Sequence, residues 1–201
     1  MGRGALAGPI VTGVVVFPPQ IKLEIAINDS KKMSPRNRAE ADLWIRHNAL
    51  VWALGTSSVK EINDIGIVPA TQRAFRRAIM KANSKLLIVK SSKLSITYLL
   101  VDAFYIPYTK GLNKSHQLPI IKGDCKSLSI AAASVLAKVY RDKIMCDAKY
   151  NDPYPHYLWH QNKGYGTKAH REAIITHGIT PHHRLAFVRK SFFSSQALSD
   201  T

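Results

Sequence analysis

Residues 122–142 read KGDCKSLSIAAASVLAKVYRD, and the apolar residues of this stretch recur at helical spacing until the pattern ends in an acid. At about 100° per residue, one arc of such a helix holds Leu128, Ala131, Val135, Val139 and Asp142. The pattern therefore predicts a helix in which Asp142 faces inward. We expect this helix to continue to about Tyr150.

The predicted helix has two candidate starts and a middle of small side chains. Asp124 or Ser127 can act as the N-cap, because either side chain accepts hydrogen bonds from the free N–H groups of a first helical turn. Ser129 and residues 131–134 are small. The helix can therefore lie close against another element, which we expect to be a sheet.

A second carboxylate ends the apolar run YLLVD at residues 98–102, which predicts a buried strand. Open α/β sheets place ligands at the carboxyl ends of their strands. Two inward carboxylates, Asp102 and Asp142, are costly unless they are protonated, paired or bound to a cation. The alternative for each is a helix cap or half of an ordinary ion pair, for instance with Arg141 or Lys143.

The composition is that of a strongly basic globular chain. The sequence has 201 residues and 46% hydrophobic content, and we expect one domain over 1–187 and a frayed tail over 188–201. Lys and Arg number 29 against 13 Asp and Glu, and a net charge of +16 attracts nucleic acid best. The alternatives are a merely soluble basic protein and a membrane-surface binder, but no basic amphipathic helix with a wide apolar face stands out.

The cysteines and histidines show no metal-ligand spacing. Cys125 and Cys146 lack partners at such spacing, and the adjacent His182 and His183 cannot chelate on one face. No signal peptide or long apolar run stands out either. We therefore expect a cytoplasmic protein without a membrane partner, in which any metal is held by oxygen.

Strands and helices alternate along the chain, which predicts the α/β class. The predicted strands are 10–17, 49–55, 98–102 and 119–121, and 21–27 is a strand or an extended piece. The predicted helices, besides the one described above, are 34–47, a short turn capped by Ser58, 69–82 and 168–177, the last ending at Gly178. Residues 85–96 fit a strand or a helix end equally well.

Two short motifs present chemistry suited to nucleic acid. In Gly2-Arg3-Gly4 the glycines permit close backbone approach while the guanidinium reaches a phosphate. In residues 163–167, KGYGT, Tyr165 stands between two glycines and predicts an exposed stacking platform for a sugar or base. The alternative is a surface tyrosine that packs on its own loop.

These motifs together resemble ribonuclease HII, the type 2 ribonuclease H family, over nearly the whole chain. The matching segments, all in the order of the family, are GRG at 2–4, LAGP at 6–9, DSKK at 29–32, LVD at 100–102, KGD at 122–124, the segment 130–142 and KGYGT at 163–167. The resemblance implies an RNase H-like fold with a mixed five-stranded sheet, flanking helices and a helical C-terminal extension. It also implies a monomeric endonuclease that hydrolyses the RNA strand of RNA–DNA hybrids and incises at ribonucleotides embedded in DNA.

The resemblance also implies roles for individual residues. Asp102 and Asp142 match two of the four carboxylates that hold two Mg²⁺ or Mn²⁺ ions in the family. The residues matching those that sense the 2′-OH and the RNA–DNA junction are Gly2, Arg3, Gly4 and Tyr165. Lys31 matches a phosphate-contacting position, and Asp124 and Arg184 are candidate supporting residues.

The sequence departs from the family pattern at three places. The family carries Asp-Glu one residue before Gly-Arg-Gly, and Met1 stands at the intervening position, so we expect that Met1 is not the natural start and that codons for Asp-Glu lie upstream in frame. Ala103 replaces a common Gly, and residues 183–187 read HRLAF where the family has HRRSF. The alternative function is a catalytically crippled protein that binds hybrid duplexes through the same surface.

Overall fold

A computed structural model describes residues 1–89 and 95–196 and confirms the α/β class. The strands are β1 Ile10–Val16, β2 Val51–Ser57, β3 Leu99–Asp102 and β4 Gln117–Ile120. The helices are α1 Pro35–Asn48, α2 Val59–Ile65, α3 Ile67–Val89, α4 Leu128–Cys146, α5 Ala148–Asn151, α6 Trp159–Asn162, α7 Lys168–His177 and α8 Leu185–Gln196.

The chain divides into two compact units that interleave in sequence. The first unit holds Met1, Val11–Thr56 and Gln72–Val139, and the second holds Gly2–Ile10, Ser57–Thr71 and Tyr140–Thr201. The boundary at residues 187 and 188 stays a prediction.

Three of the predicted helix caps, at Ser34, Ser58 and Gly178, are present. The Ser34 side chain accepts a hydrogen bond from the backbone N–H of Asn37, and Pro35 occupies the first turn of α1. Ser58 and Glu61 form a reciprocal capping box, so the predicted short turn is a two-turn helix, α2. Gly178 follows α7 at φ +78°, a conformation that glycine adopts without strain.

Two glycines let helices of the first unit lie directly on strands. A Cβ on Gly13 of β1 would stand 2.5 Å from the carbonyl oxygen of Ala133 in α4. A Cβ on Gly55 of β2 would stand 2.0 Å from the carbonyl oxygen of Ala74 in α3. The predicted close approach of the small-residue stretch to a strand is therefore confirmed, and the strand it meets at Ala133 is β1.

The strands pair in two sets. β1 is the hydrogen-bonded neighbour of β2, and β3 runs parallel to β4 with Leu99 opposite Gln117 and Asp102 opposite Ile120. The resemblance implied one five-stranded sheet. Within the described ranges, the structure instead has two sheets of two strands each. Val14 of β1 packs against the buried cluster that includes Leu99, so side-chain packing rather than a ladder joins these strands.

Each unit has its own apolar core. In the first unit a buried cluster joins β1, α1 and α4 through Val15, Ile45 and Leu136. In the second unit the buried cluster is aromatic, with Tyr157 and Trp159 beside Met145 of α4. The last turns of α4, which carry Asp142, therefore belong to the core of the second unit.

Several predicted boundaries change. Residues 21–27 form no strand, which leaves the extended alternative, and β2 begins at Val51. The predicted helix end at Tyr150 is wrong, because α4 ends at Cys146 and the separate helix α5 follows. For 85–96, helix α3 extends to Val89, while 90–94 lie outside the described residues. Helix α8 covers the predicted tail as far as Gln196, and 197–201 lie outside the described residues, so a frayed tail stays a prediction.

Candidate nucleic-acid and catalytic site

Asp102 lies at the carboxyl end of β3 and is exposed. Along β3 the burial alternates, so Leu99 and Val101 are buried while Leu100 and Asp102 face solvent. The expectation of an inward carboxylate is therefore wrong here, because the strand pleat turns Asp102 to the opposite face from Val101. Its Oδ1 accepts a hydrogen bond of 3.1 Å from the backbone N–H of Gly123, which brings the KGD motif beside it.

Asp124 and Ser127 occupy the approach to α4. Asp124 lies half-buried in a single 3₁₀ turn, Gly123–Cys125, and the helix begins later, at Leu128. Ser127 directly precedes this first helical residue, so the later of the two predicted starts is the one observed. The carbonyl of Ser127 accepts from the N–H of Ala131, at 2.9 Å, as the first intrahelical bond.

Asp142 is half-buried, and its neighbour Arg141 takes the interior position instead. Arg141 is 1% exposed, and it continues the buried spacing Ala137, Arg141, Met145 along α4. The prediction that Asp142 faces fully inward is corrected by about one residue of helical rotation. The buried face of α4 is rich in alanine rather than in large apolar side chains. The spacing of apolar residues therefore did not show which residue lies at the centre of that face.

Arg141 uses its guanidinium to bind three backbone carbonyls. Nε donates to Pro9 O at 3.0 Å, Nη2 donates to Ala7 O at 3.1 Å, and Nη1 donates to Lys163 O at 2.9 Å. These are charge-assisted hydrogen bonds from a rigid fork. The sequence pattern suggested only an ordinary ion pair for this arginine.

Arg184 also binds three backbone carbonyls, and these belong to the segment that follows Met1. It is fully buried, its Nε and Nη2 donate to Gly8 O at 2.9 and 2.7 Å, and its Nη1 donates to Gly2 O at 2.6 Å and to Arg3 O at 3.2 Å. Burial, reinforced by the Arg141 cation, lowers the pKa of Arg184 to about 9. The guanidinium therefore stays charged at neutral pH, and it binds the backbone of the GRG motif from the interior of the protein.

The GRG motif has a buried and an exposed side. Gly2 is buried at φ +82°, and a Cβ there would stand 2.1 Å from Nε of Arg141, so only glycine fits. Arg3 and Gly4 are exposed, and a Cβ on Gly4 would meet nothing within 4 Å. The motif therefore presents the Arg3 side chain and the Gly4 backbone to solvent.

The loop that carries Tyr165 is bonded to the segment after the GRG motif. Gly164 O accepts from the N–H groups of Leu6 and Ala7 at 2.8 and 3.1 Å, and a Cβ on Gly164 would stand 2.5 Å from Ala7 O. Tyr165 is half-buried, and Cζ of Arg141 lies 5.3 Å from its ring centroid. The expectation of an exposed ring is therefore corrected: the ring is half-buried and lies near the Arg141 cation.

Two buried histidines support this loop from the interior. The Thr180 N–H donates to Nδ1 of His183 at 2.9 Å, so this neutral ring carries its proton on Nε2, which lies 3.1 Å from Nε2 of His170. Trp159 Nε1 also donates to Nε2 of His170, and Nδ1 of His170 lies 2.9 Å from Tyr165 O. Burial lowers the pKa of both histidines, that of His183 to about 4. The sequence pattern excluded His183 as a zinc ligand and placed it at the start of the HRLAF segment, but it did not predict this buried contact with His170.

Lys31 lies in the first unit, on an exposed turn. Its backbone N–H donates to Oδ1 of Asp29 at 3.0 Å, while its side chain faces solvent. The preceding Ser30 is fully buried and its hydroxyl lies 2.9 Å from that of Ser134 in α4. This anchor fixes the turn, and the Lys31 side chain is exposed to solvent.

Carboxylates do not cluster in the described residues. Over 1–89 and 95–196, no group of three or more His, Cys, Asp and Glu side chains is placed to hold a metal ion. Asp102 belongs to the first compact unit and Asp142 to the second.

The family model for Ribonuclease HII matches residues 1–195. The chain belongs to the ribonuclease HII family. It is 47% identical over 188 residues to Ribonuclease HII of Clostridioides difficile (strain 630). The aligned region covers 94% of this chain and 67% of that relative.

Solved structures agree on the RNase H-like fold. The ribonuclease H2 of Pyrococcus horikoshii OT3 matches with a TM-score of 0.67 and 21% identity, covering 94% of this chain and 92% of that one. Bst-RNase HIII in complex with Mn²⁺ matches with a TM-score of 0.57 and 17% identity, covering 98% of this chain and 68% of that one.

Family membership makes the chain a ribonuclease H, an endoribonuclease for RNA–DNA hybrids, and implies dependence on a divalent metal. None of the helices in the described residues is both long enough and apolar enough to span a bilayer.

Proposed function

We propose that the chain hydrolyses the RNA strand of RNA–DNA hybrids and incises DNA at embedded ribonucleotides, with two divalent ions, Mg²⁺ or Mn²⁺. Asp102 and Asp142 are each proposed as a metal-binding carboxylate. Support comes from family membership and from the exposure of Asp102 at the carboxyl end of two parallel strands, where α/β proteins bind ligands. A cytoplasmic monomer that serves DNA replication and repair belongs to the same proposal.

The observation that carries the proposal is the bonded pair of recognition loops in the second unit. The GRG loop exposes Arg3 and the Gly4 backbone, and the loop of Tyr165 is hydrogen-bonded to the adjoining segment at Leu6 and Ala7. A nearby aromatic ring and the exposed Gly4 backbone suit a ribose, because the 2′-OH both donates and accepts hydrogen bonds. The Arg3 side chain would bind a phosphate.

General affinity would come from the basic surface. The net charge of +16 neutralises phosphates without reading sequence, and the exposed Lys31 would contribute one such contact. Sugar recognition at one position and phosphate binding at many are therefore assigned to different residues. Each can be tested separately.

A second candidate function is non-catalytic binding of hybrid duplexes. The observation that favours it is that no cluster of three metal-ligating side chains occurs within residues 1–89 and 95–196. The same loops and the same basic surface would bind the duplex. The two candidates differ only in whether the phosphodiester bond is cleaved.

Cleavage of a hybrid and of a DNA duplex with one ribonucleotide, in Mg²⁺ or Mn²⁺, tests the proposal. Asp102→Asn and Asp142→Asn should each abolish cleavage, while the Kd for the hybrid in Ca²⁺ stays within about threefold, since phosphate contacts carry the affinity. The matched control is Asp64→Asn, an exposed carboxylate paired with Lys60. Cleavage that survives either test variant refutes the carboxylate assignment, and wild-type binding without cleavage selects the second candidate.

A further inference from the structure

Arg141 is a buried cation whose hydrogen-bonding partners are backbone carbonyls that flank both recognition loops. We propose that Arg141 is a positioning residue that sets the placement of Tyr165 relative to the GRG loop and thereby the preference for a ribonucleotide. The inference rests on the proposed use of these loops in ribonucleotide recognition.

The first step of the argument is what the guanidinium binds. Ala7 O and Pro9 O lie just after the GRG loop, and Lys163 O lies two residues before Tyr165. One rigid planar group therefore fixes both chain segments. A lysine has no such fork and could satisfy only part of this set.

The second step is the direct contact of Arg141 with the loops themselves. Its Nε occupies the space that a side chain at position 2 would need, so the backbone can come this close to Arg141 only because residue 2 is glycine. Its Cζ lies 5.3 Å from the ring centroid of Tyr165, within the range of a cation–π interaction. A shift of the guanidinium would therefore move the ring and the backbone of Gly2 together.

The third step is the place of Arg141 on its helix. It directly precedes Asp142 in α4, and in the second unit α4 packs through Met145 into the aromatic core with Trp159. The helical turn that carries Asp142, a proposed metal-binding carboxylate, therefore also carries Arg141, which binds both loops. Helix geometry ties the placement of one to the other.

A purely structural arginine is the competing explanation, and ribonucleotide preference separates the two. We would measure Kd, without cleavage in Ca²⁺, for a DNA duplex with one ribonucleotide and for the all-DNA duplex of the same sequence. Arg141→Lys and Arg141→Gln should lose most of the wild-type preference for the ribonucleotide duplex while the all-DNA Kd changes little. Arg189→Gln, which removes an exposed charge from the same unit, is the matched control.

Kinetics give the second readout. In Arg141→Lys, kcat at a single ribonucleotide should fall on the order of 100-fold with KM little changed, because a misplacement of about 1 Å has an effect of that size. In Arg141→Ala, guanidinium at a sub-denaturing concentration should restore part of the preference, and ammonium at equal ionic strength should not. This rescue keeps the test informative if the charge-keeping variant folds poorly.

The outcomes distinguish this inference from the proposed function. A folded Arg141 variant with unchanged preference overturns the inference, as does an activity loss that merely follows the unfolded fraction measured by circular dichroism. Wild-type protein without any ribonucleotide preference also overturns it. If the wild type prefers the ribonucleotide duplex but does not cleave it, and the variants lose that preference, the inference stands and the nuclease proposal fails.

Discussion

Acidification should destabilise the fold through His183. This imidazole is 1% exposed, its Nδ1 accepts from the Thr180 N–H, and its Nε2 faces His170. Burial, together with His170 and His182, lowers its pKa from 6.5 to about 4. The unfolded chain therefore binds more protons than the folded chain between these values, so stability is complete above pH 6.5 and falls as the pH decreases towards 4.

The magnitude follows from the size of the shift. At pH 5 a histidine with the ordinary pKa is almost fully protonated, whereas His183 in the folded chain is almost fully neutral. Each pKa unit corresponds to about 1.4 kcal/mol, so lowering the pH from about 7.5 to 5 should cost about 2 kcal/mol from His183. His170, whose pKa is also lowered by burial, adds in the same direction.

Urea unfolding at the two pH values measures this loss. About 2 kcal/mol corresponds to a decrease of the midpoint on the order of 1 M. His183→Gln removes the titrating group, so its pH dependence should be smaller than that of the wild type by about 2 kcal/mol. His160→Gln, at an exposed position, is the control. An unchanged pH dependence in His183→Gln would refute the reasoning.

Two further substitutions test the recognition loop and the packing of helix on strand. Tyr165→Ala should reduce cleavage at a single ribonucleotide more than affinity for plain DNA, because a ring reads one sugar while basic side chains bind many phosphates; an equal fall in both, measured by kinetics and fluorescence anisotropy, would make Tyr165 a packing residue. Gly55→Ala should lower the free energy of unfolding by about 1–3 kcal/mol, since its Cβ would stand 2.0 Å from Ala74 O and strand and helix must separate. Gly4→Ala, which meets nothing within 4 Å, should stay within about 0.5 kcal/mol in the same denaturation assay, and equal effects would contradict the packing argument.

Local chemistry was readable from the sequence. The Ser34-Pro35 start of α1, the Ser58 cap of α2 and the Gly178 end of α7 are all in the structure, because capping and glycine conformations depend on neighbouring residues alone. The alternation of strands and helices predicted the α/β class, because the order of these elements along the chain can be read from local sequence patterns. The family was also recognised correctly, since its motifs are short runs of contiguous residues.

The facing of individual side chains depended on contacts distant in sequence. Apolar spacing placed Asp142 inward, but the interior position belongs to Arg141, because the carbonyls it binds come from residues 7, 9 and 163. The exposure of Asp102 likewise follows from the pleat of β3 beside β4. The alternation along β3 is local, but which face of β3 or of α4 is buried depends on the elements that pack against it.

The sequence by itself determined the strands, the starts of several helices, the basic net charge and the family, because each is encoded by neighbouring residues or by composition. Only the tertiary structure decided that two buried arginines and two buried histidines support the GRG loop and the loop of Tyr165 from the interior. The physical reason is that a buried polar group needs a partner, and for Arg184 and His183 the partners lie on other segments of the chain or across a turn.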